Sequence, residues 1–222
     1  MSVITISREF GSEGDSIARK VAQTLGYHFV DQKFIGHVLG QYGYVEFDKE
    51  YQKLPTFWER FDAQRETQRD VMMDMLNRVI QAVAHHGDAV ILGRSGFQVL
   101  GGFANVFHVR LQAPFSVRVG RVMSQQKLTY EEAEALVKEN DKVRLAFVEE
   151  FYRVSWGTIQ AFDLVVNTGK VFPDMATNWV IDAARTFVNN MDNNKPTTAS
   201  IKVDRILADA VSDVLGCKET HG

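Results

Sequence analysis

The chain of 222 residues holds a single cysteine, Cys217, so it can form neither an internal disulfide nor a metal site built from several cysteines. Four prolines and 16 glycines are too few for a collagen-like, mucin-like or mostly disordered chain, and no repeat or low-complexity tract is present. No run approaches the roughly 20 apolar residues of a membrane span, and the opening MSVITISREFGSEGD meets charge too early for a secretory leader. A cytoplasmic protein with no membrane partner is expected, which the lone cysteine also fits. Basic excess is lacking too. Lys and Arg number 25 against 28 Asp and Glu, a net charge of −3, which speaks against a nucleic-acid partner and makes any anion site local. What the chain does have is apolar content, 45% of its residues, in a length that lets about 72% of the extended chain's surface be buried.

The apolar content is ordered. VITIS at 3–7 is a short β-branched run, Gly11, Ser12 and Gly14 follow it, and Ile17, Val21 and Leu25 then recur at helical spacing until Gly26. This is strand, glycine-rich turn and helix. YHFVD at 27–31 reads as a second strand, followed by a short helix near Lys33–Leu39. A long helix is expected over 58–86, ended by Gly87, and DAVILG at 88–93 and VFHVRL at 106–111 are continuous apolar strands of the kind buried on both faces. Pro114 starts a helix carrying Arg118 and Arg121. Thr129 with Glu132 forms a capping box that opens a helix to about Tyr152. FDLVVNT at 162–168 and the helix opened by Pro173 complete the alternation, and IKVDRILADAVSDVL ends in a short terminal helix. Five strands interleaved with helices predict an α/β fold, a five-stranded parallel sheet with helices on both faces.

In such sheets ligands gather at the carboxyl ends of the strands, and the residues there are not a random set. After the first strand, Gly11, Ser12, Glu13, Gly14, Asp15 and Ser16 lead into a helix, where glycines let backbone N–H groups approach an anion. A phosphate cradle and a plain glycine-rich connection both fit. Arg8 and Arg94 follow the first and third strands, and Arg118 and Arg121 lie three apart on one helix, on a lid or on a solvated face. Asp141 precedes Arg144 by three and is placed to hold it. Asp31 and Lys33 follow the second strand, where Asp31 either contacts substrate or caps the next helix. The adjacent His85 and His86 do not share a helix face and make a poor metal pair. Met72, Met73 and Met75, with Trp58 and Phe61, read as core or as a face for a second copy of the chain.

ITISREFGSEGDSIARKVAQTLGYHFVDQKFI, ILGRSG at 91–96, ENDKVRLAF at 139–147 and FDLVVNT together resemble, in order, the opening, strand-three turn, lid helix and last strand of the cytidylate-kinase-like family of P-loop kinases. The resemblance implies a three-layer kinase domain over 1–190, with a helical lid near 114–155 and a C-terminal extension over 191–222. It further implies ATP phosphates on Gly11, Ser12, Glu13, Gly14, Asp15 and Ser16, Mg2+ at Ser16, and catalytic Arg8, Arg94, Arg118, Arg121 and Arg144. Asp31, Lys33 and Asp141 become the substrate-binding candidates. The implied reaction moves the ATP γ-phosphoryl group to a nucleoside monophosphate, CMP or dCMP first. A silent nucleotide-binding regulator and a kinase of another small metabolite are the alternatives. Similar chains commonly read G-S-G-G-R-E where this one reads Gly11-Ser12-Glu13-Gly14-Asp15-Ser16, and Gly14 stands where P-loops carry lysine.

Overall fold

The computed structural model describes residues 2–41, 63–155, 157–192 and 194–216. Its centre is a five-stranded, all-parallel sheet in the order β2-β3-β1-β4-β5. β1 (Val3–Arg8) lies in the middle, pairing with β3 (Ala89–Leu92) and β4 (Val106–Gln112), while β2 (His28–Val30) and β5 (Leu164–Asn167) form the edges. The β-branched and aliphatic runs of β1 and β3 are buried on both faces, as the unbroken apolar sequence requires.

One face of the sheet is covered by α1 (Gly14–Leu25) and α7 (Pro173–Val188), whose Ile17, Val21, Val180 and Ile181 share a core with Ile4, Ile6 and Val109. The other face carries α2 (Gln32–Gln41), α3 (Ala63–His86) and α8 (Arg205–Leu215), with Ile35, Leu76, Ile80 and Leu207 packed around Val3 and Ile91. Met73 is buried in this second core, and Met72 and Met75 pack against it. Trp58 and Phe61 lie outside the described residues. α4 (Gly96–Val99), a single turn that no periodicity announces, follows β3.

α5 (Phe115–Gln126) and α6 (Tyr130–Tyr152) form a separate helical pair joined by Val119, Val122, Ala133 and Val137. The capping box is present: the Thr129 hydroxyl accepts from Glu132 N–H while the Glu132 carboxylate accepts from Thr129 N–H. The segment after 190 packs closely on the rest of the chain. Asn105 and Thr198 exchange two hydrogen bonds of 2.8 Å, and α8 contributes Leu207, Ala210 and Val211 to the core beside α2 and α3.

Candidate active site

Between β1 and α1 the chain makes a tight cup. Gly11 takes φ +78°, and a Cβ on it would come within 2.9 Å of the Arg118 carbonyl oxygen, so glycine is required there. The fully buried Ser12 donates its hydroxyl hydrogen to Glu9 O at 2.8 Å, and the Thr168 hydroxyl donates to Ser12 O at 3.0 Å, tying the loop to the end of β5. Glu13 occupies the left-handed region at φ 64° and is the N-cap of α1, with no side chain capping the helix. The helix therefore presents its first N–H groups and the positive end of its dipole at the cup.

The two acids of this loop have partners elsewhere. Glu13 Oε1 accepts from Gln125 Nε2 at 2.6 Å, at the end of α5, and Asp15 Oδ2 accepts from Arg19 Nε at 2.9 Å along α1. Asp15 directly follows Gly14, so the position after the lysine's place holds a carboxylate. Ser16 falls one residue, about 100° of helix turn, further on.

Beside the cup lies a cavity of about 380 Å³, floored by the ends of β1 and β3 and roofed by α6. Arg8 of β1, Arg94 of the turn after β3 and Arg144 of α6 all line it. Burial, and then the nearby Arg144 and Arg94, lower the Arg8 guanidinium to about 9. Burial also lowers Arg144, with Arg94 and Arg118 adding to the effect against the opposing charge of Asp141. Arg144 Nη1 is buried without a hydrogen-bond partner, 3.9 Å from Asp141 Oδ1, and the guanidinium lies 5.3 Å from the Phe10 ring. The Ser95 hydroxyl, on a residue only 4% exposed, is likewise unpartnered in this cavity. Buried donors left unsatisfied around clustered cations suit an anionic ligand, which would supply both the acceptors and the charge.

The remaining sequence candidates take other positions. Arg118 is buried and fully engaged, donating from Nε to Ala113 O at 3.0 Å and from Nη1 to Phe10 O at 3.0 Å and Asp141 Oδ2 at 2.5 Å, with Glu9 Oε2 3.3 Å away. Asp141 also accepts from Phe10 N–H at 3.0 Å, so this pair fastens α6 to the loop. Arg121 donates to Gly11 O at 3.3 Å and to Thr168 O at 2.6 Å, bridging the cup and the segment after β5. Asp31 caps α2 by accepting from Phe34 N–H at 3.1 Å and meets Arg19 at 3.1 Å. Lys33 is exposed on α2, and its neighbour Gln32 lines the cavity instead. His86 stacks edge-on against His28, ring centroids 5.4 Å apart.

Thr5, Gln32, Ser95, Glu139, Asn140 and Phe147 line the cavity without having been singled out in the sequence. A signal existed for two of them. Asn140 lies four residues before Arg144, one helical turn away on the same face, and Ser95 adjoins Arg94 at a strand end.

A family model described as the cytidylate kinase-like family matches residues 3–170. A cytidylate kinase of Ignicoccus hospitalis is 28% identical over 174 residues, covering 78% of this chain and 94% of that enzyme. One from Halobacterium salinarum is 24% identical over 200 residues, covering 90% and 98%. Among solved structures, an uncharacterized protein from Eubacterium ventriosum superposes with a TM-score of 0.65 at 21% identity, over 84% of this chain and 99% of its own.

Proposed function

The chain belongs to the cytidylate kinase-like family, and from that premise we propose that it transfers the γ-phosphoryl group of ATP to a nucleoside monophosphate, with CMP or dCMP the first acceptors to test. The family and the fold support the coarser statement, a kinase of a nucleotide or other small metabolite. The observation that carries the finer reading is the convergence of Arg8, Arg94 and Arg144 on one cavity beside an uncapped helix N-terminus.

Phosphoryl transfer asks for positioning and positive charge rather than a covalent catalyst. An acceptor phosphate oxygen attacks the γ-phosphorus as the bond to the β–γ bridging oxygen breaks, and ADP leaves with the electron pair. Donor phosphates would rest on the N–H groups of the 11–16 cup, and the acceptor in the arginine-lined cavity, whose Phe97, Val143 and Phe147 offer apolar walls to a base or sugar. The lid helix would exclude water. Mg2+, when bound, would neutralise charge on the donor phosphates. Ser16, in the first turn of α1, is the oxygen donor this loop would add, since Asp15 is held by Arg19. With Glu13 and Asp15 drawn to Gln125 and Arg19, the carboxylates need not oppose a triphosphate.

An ATP-consumption screen over nucleoside monophosphates and small phosphorylated or hydroxylated metabolites, with and without Mg2+, tests this reading. Mg2+-dependent ADP release with CMP or dCMP is expected. Turnover only with another acceptor reassigns the substrate, and no turnover with any of them overturns the reading in favour of a silent nucleotide-binding protein.

A further inference from the structure

The P-loop pattern G-x-x-x-x-G-K-[ST] has glycine first and, six residues later, the lysine that reaches the β- and γ-phosphates. Laid on this chain with Gly14 in the lysine's place, the first glycine falls on Arg8. The second glycine falls on Glu13, which nonetheless keeps the left-handed backbone at φ 64°. Cation and glycine have thus changed places at the two ends of the loop.

Both changes go together for a steric reason. The Arg8 side chain runs directly over Gly14: a Cβ built there would lie 2.5 Å from Arg8 Cγ and 2.6 Å from Arg8 Cβ. Its guanidinium then lies over Gly93, where an added Cβ would fall on Arg8 Nη1. Any side chain at 14 would collide with the root of Arg8, which cannot swing aside, whereas at 93, where φ is +76°, the collision is with the flexible end of the arginine. The space through which a lysine at 14 would leave the backbone is the space the arginine now fills.

We infer that Arg8 is this protein's phosphate-binding P-loop cation, reached from the opposite end of the loop, and that Gly14 and Gly93 lack side chains in order to seat it. The inference rests on the phosphotransferase reading and concerns the contact of Arg8, a wall of the proposed acceptor cavity, with the donor phosphates. The Arg8 stem crosses Gly14 of the cup and its guanidinium lines the cavity beside Gly93, so a terminal phosphate reaching it would meet a planar, bidentate donor in place of a point charge.

The test is a rescue cycle read by calorimetric binding of inorganic tripolyphosphate and of ADP, with thermal melting of each variant to confirm folding. Arg8→Gly is expected to weaken both ligands by about 10- to 100-fold, the loss of a charge-assisted contact. Gly14→Lys alone is expected to weaken them as well, since two side chains then compete for one space. The double variant Arg8→Gly/Gly14→Lys should recover most of the wild-type affinity, a strongly non-additive result. Wild-type affinity in Arg8→Gly, or no recovery in a folded double variant, overturns the inference. If the double variant does not fold, Gly14→Ala and Arg8→Lys decide. Gly14→Ala, which alters no charge, should weaken binding about as much as Arg8→Gly, whereas Arg8→Lys should retain most of it. Unchanged affinity in Gly14→Ala, or loss in Arg8→Lys equal to that in Arg8→Gly, overturns the inference. Wild type that binds tripolyphosphate yet phosphorylates no acceptor would sink the proposed reaction and leave the relocated cation standing. Turnover unaffected by Arg8→Gly would do the reverse, and wild type that binds neither ligand would remove both.

Discussion

At the scale of single residues the cavity holds a charge cluster that the unliganded protein sustains at a cost. Burial and the facing guanidinium groups of Arg144 and Arg94 depress Arg8 to about 9, so it keeps its charge at neutral pH while being repelled. Arg8→Met, which still fills the groove over Gly14 and Gly93, should therefore raise the unliganded melting temperature by about 2–4 °C, on the order of 1 kcal/mol, while weakening tripolyphosphate binding as Arg8→Gly does. An unliganded protein that melts lower after this change would show that the cluster stores no repulsion. His108 offers a pH test. Burial holds its imidazole below the ordinary value, outweighing Asp163, and its Nδ1 lies 2.7 Å from the Thr5 hydroxyl. The unfolded chain binds a proton near pH 6.5 and the folded chain only at lower pH, so stability should fall as pH drops below about 6.5 and level off beneath the folded value. Urea titrations of wild type and His108→Gln between pH 7.5 and 5 should show a shallower slope in the variant, and equal slopes would acquit His108.

At the scale of elements, α8 belongs to the core it closes. Leu207 is 2% exposed, and its side chain joins Ile35, Leu76 and Ile80. Leu207→Ala should cost about 2–5 kcal/mol in a single cooperative transition, and a cost below about 1 kcal/mol would mean that the helix is only loosely docked. The elements themselves were legible wherever pattern and punctuation agreed. Apolar β-branched runs gave β1, β3 and β4 to within a residue or two, Gly26 ended α1, and the Thr129–Glu132 box marked the start of α6. The terminal helix was legible as a helix but not as a core element, because its Leu207, Ala210 and Val211 reveal an apolar face and not the surface that receives it. The site divides similarly. Strand-end position brought Arg8 and Arg94 to notice, and both line the cavity. Arg118 and Arg121 read as a pair on one face, yet α5 directs one to Asp141 and Glu9 and the other to Thr168 and Gly11, since each meets a different carbonyl or carboxylate brought close by tertiary packing. The seat of Arg8 on Gly14 and Gly93 was hidden for the same reason, as it joins residues up to 85 positions apart.

At the scale of the whole molecule, a net charge of −3 coexists with three arginines around one cavity, so attraction of an anionic substrate is short in range. Raising the ionic strength from about 0.05 to about 0.5 M shortens the screening length to a few ångströms and should raise the acceptor KM several-fold while leaving kcat nearly unchanged. A KM insensitive to salt would mean that the acceptor is not held by these charges. The packing of α8 also sets a timetable. The layer containing α2 and α3 is formed from residues made early, but the apolar surface they share with α8 cannot be covered until the ribosome has moved beyond Leu215. At about 5–20 residues per second, the interval between completing α3 at His86 and completing α8 is some 6–26 s of synthesis, during which Leu76 and Ile80 lack their final cover. The apolar face of α3 is thus uncovered through most of translation, and slow codons late in the message would lengthen the period in which the nascent chain can aggregate.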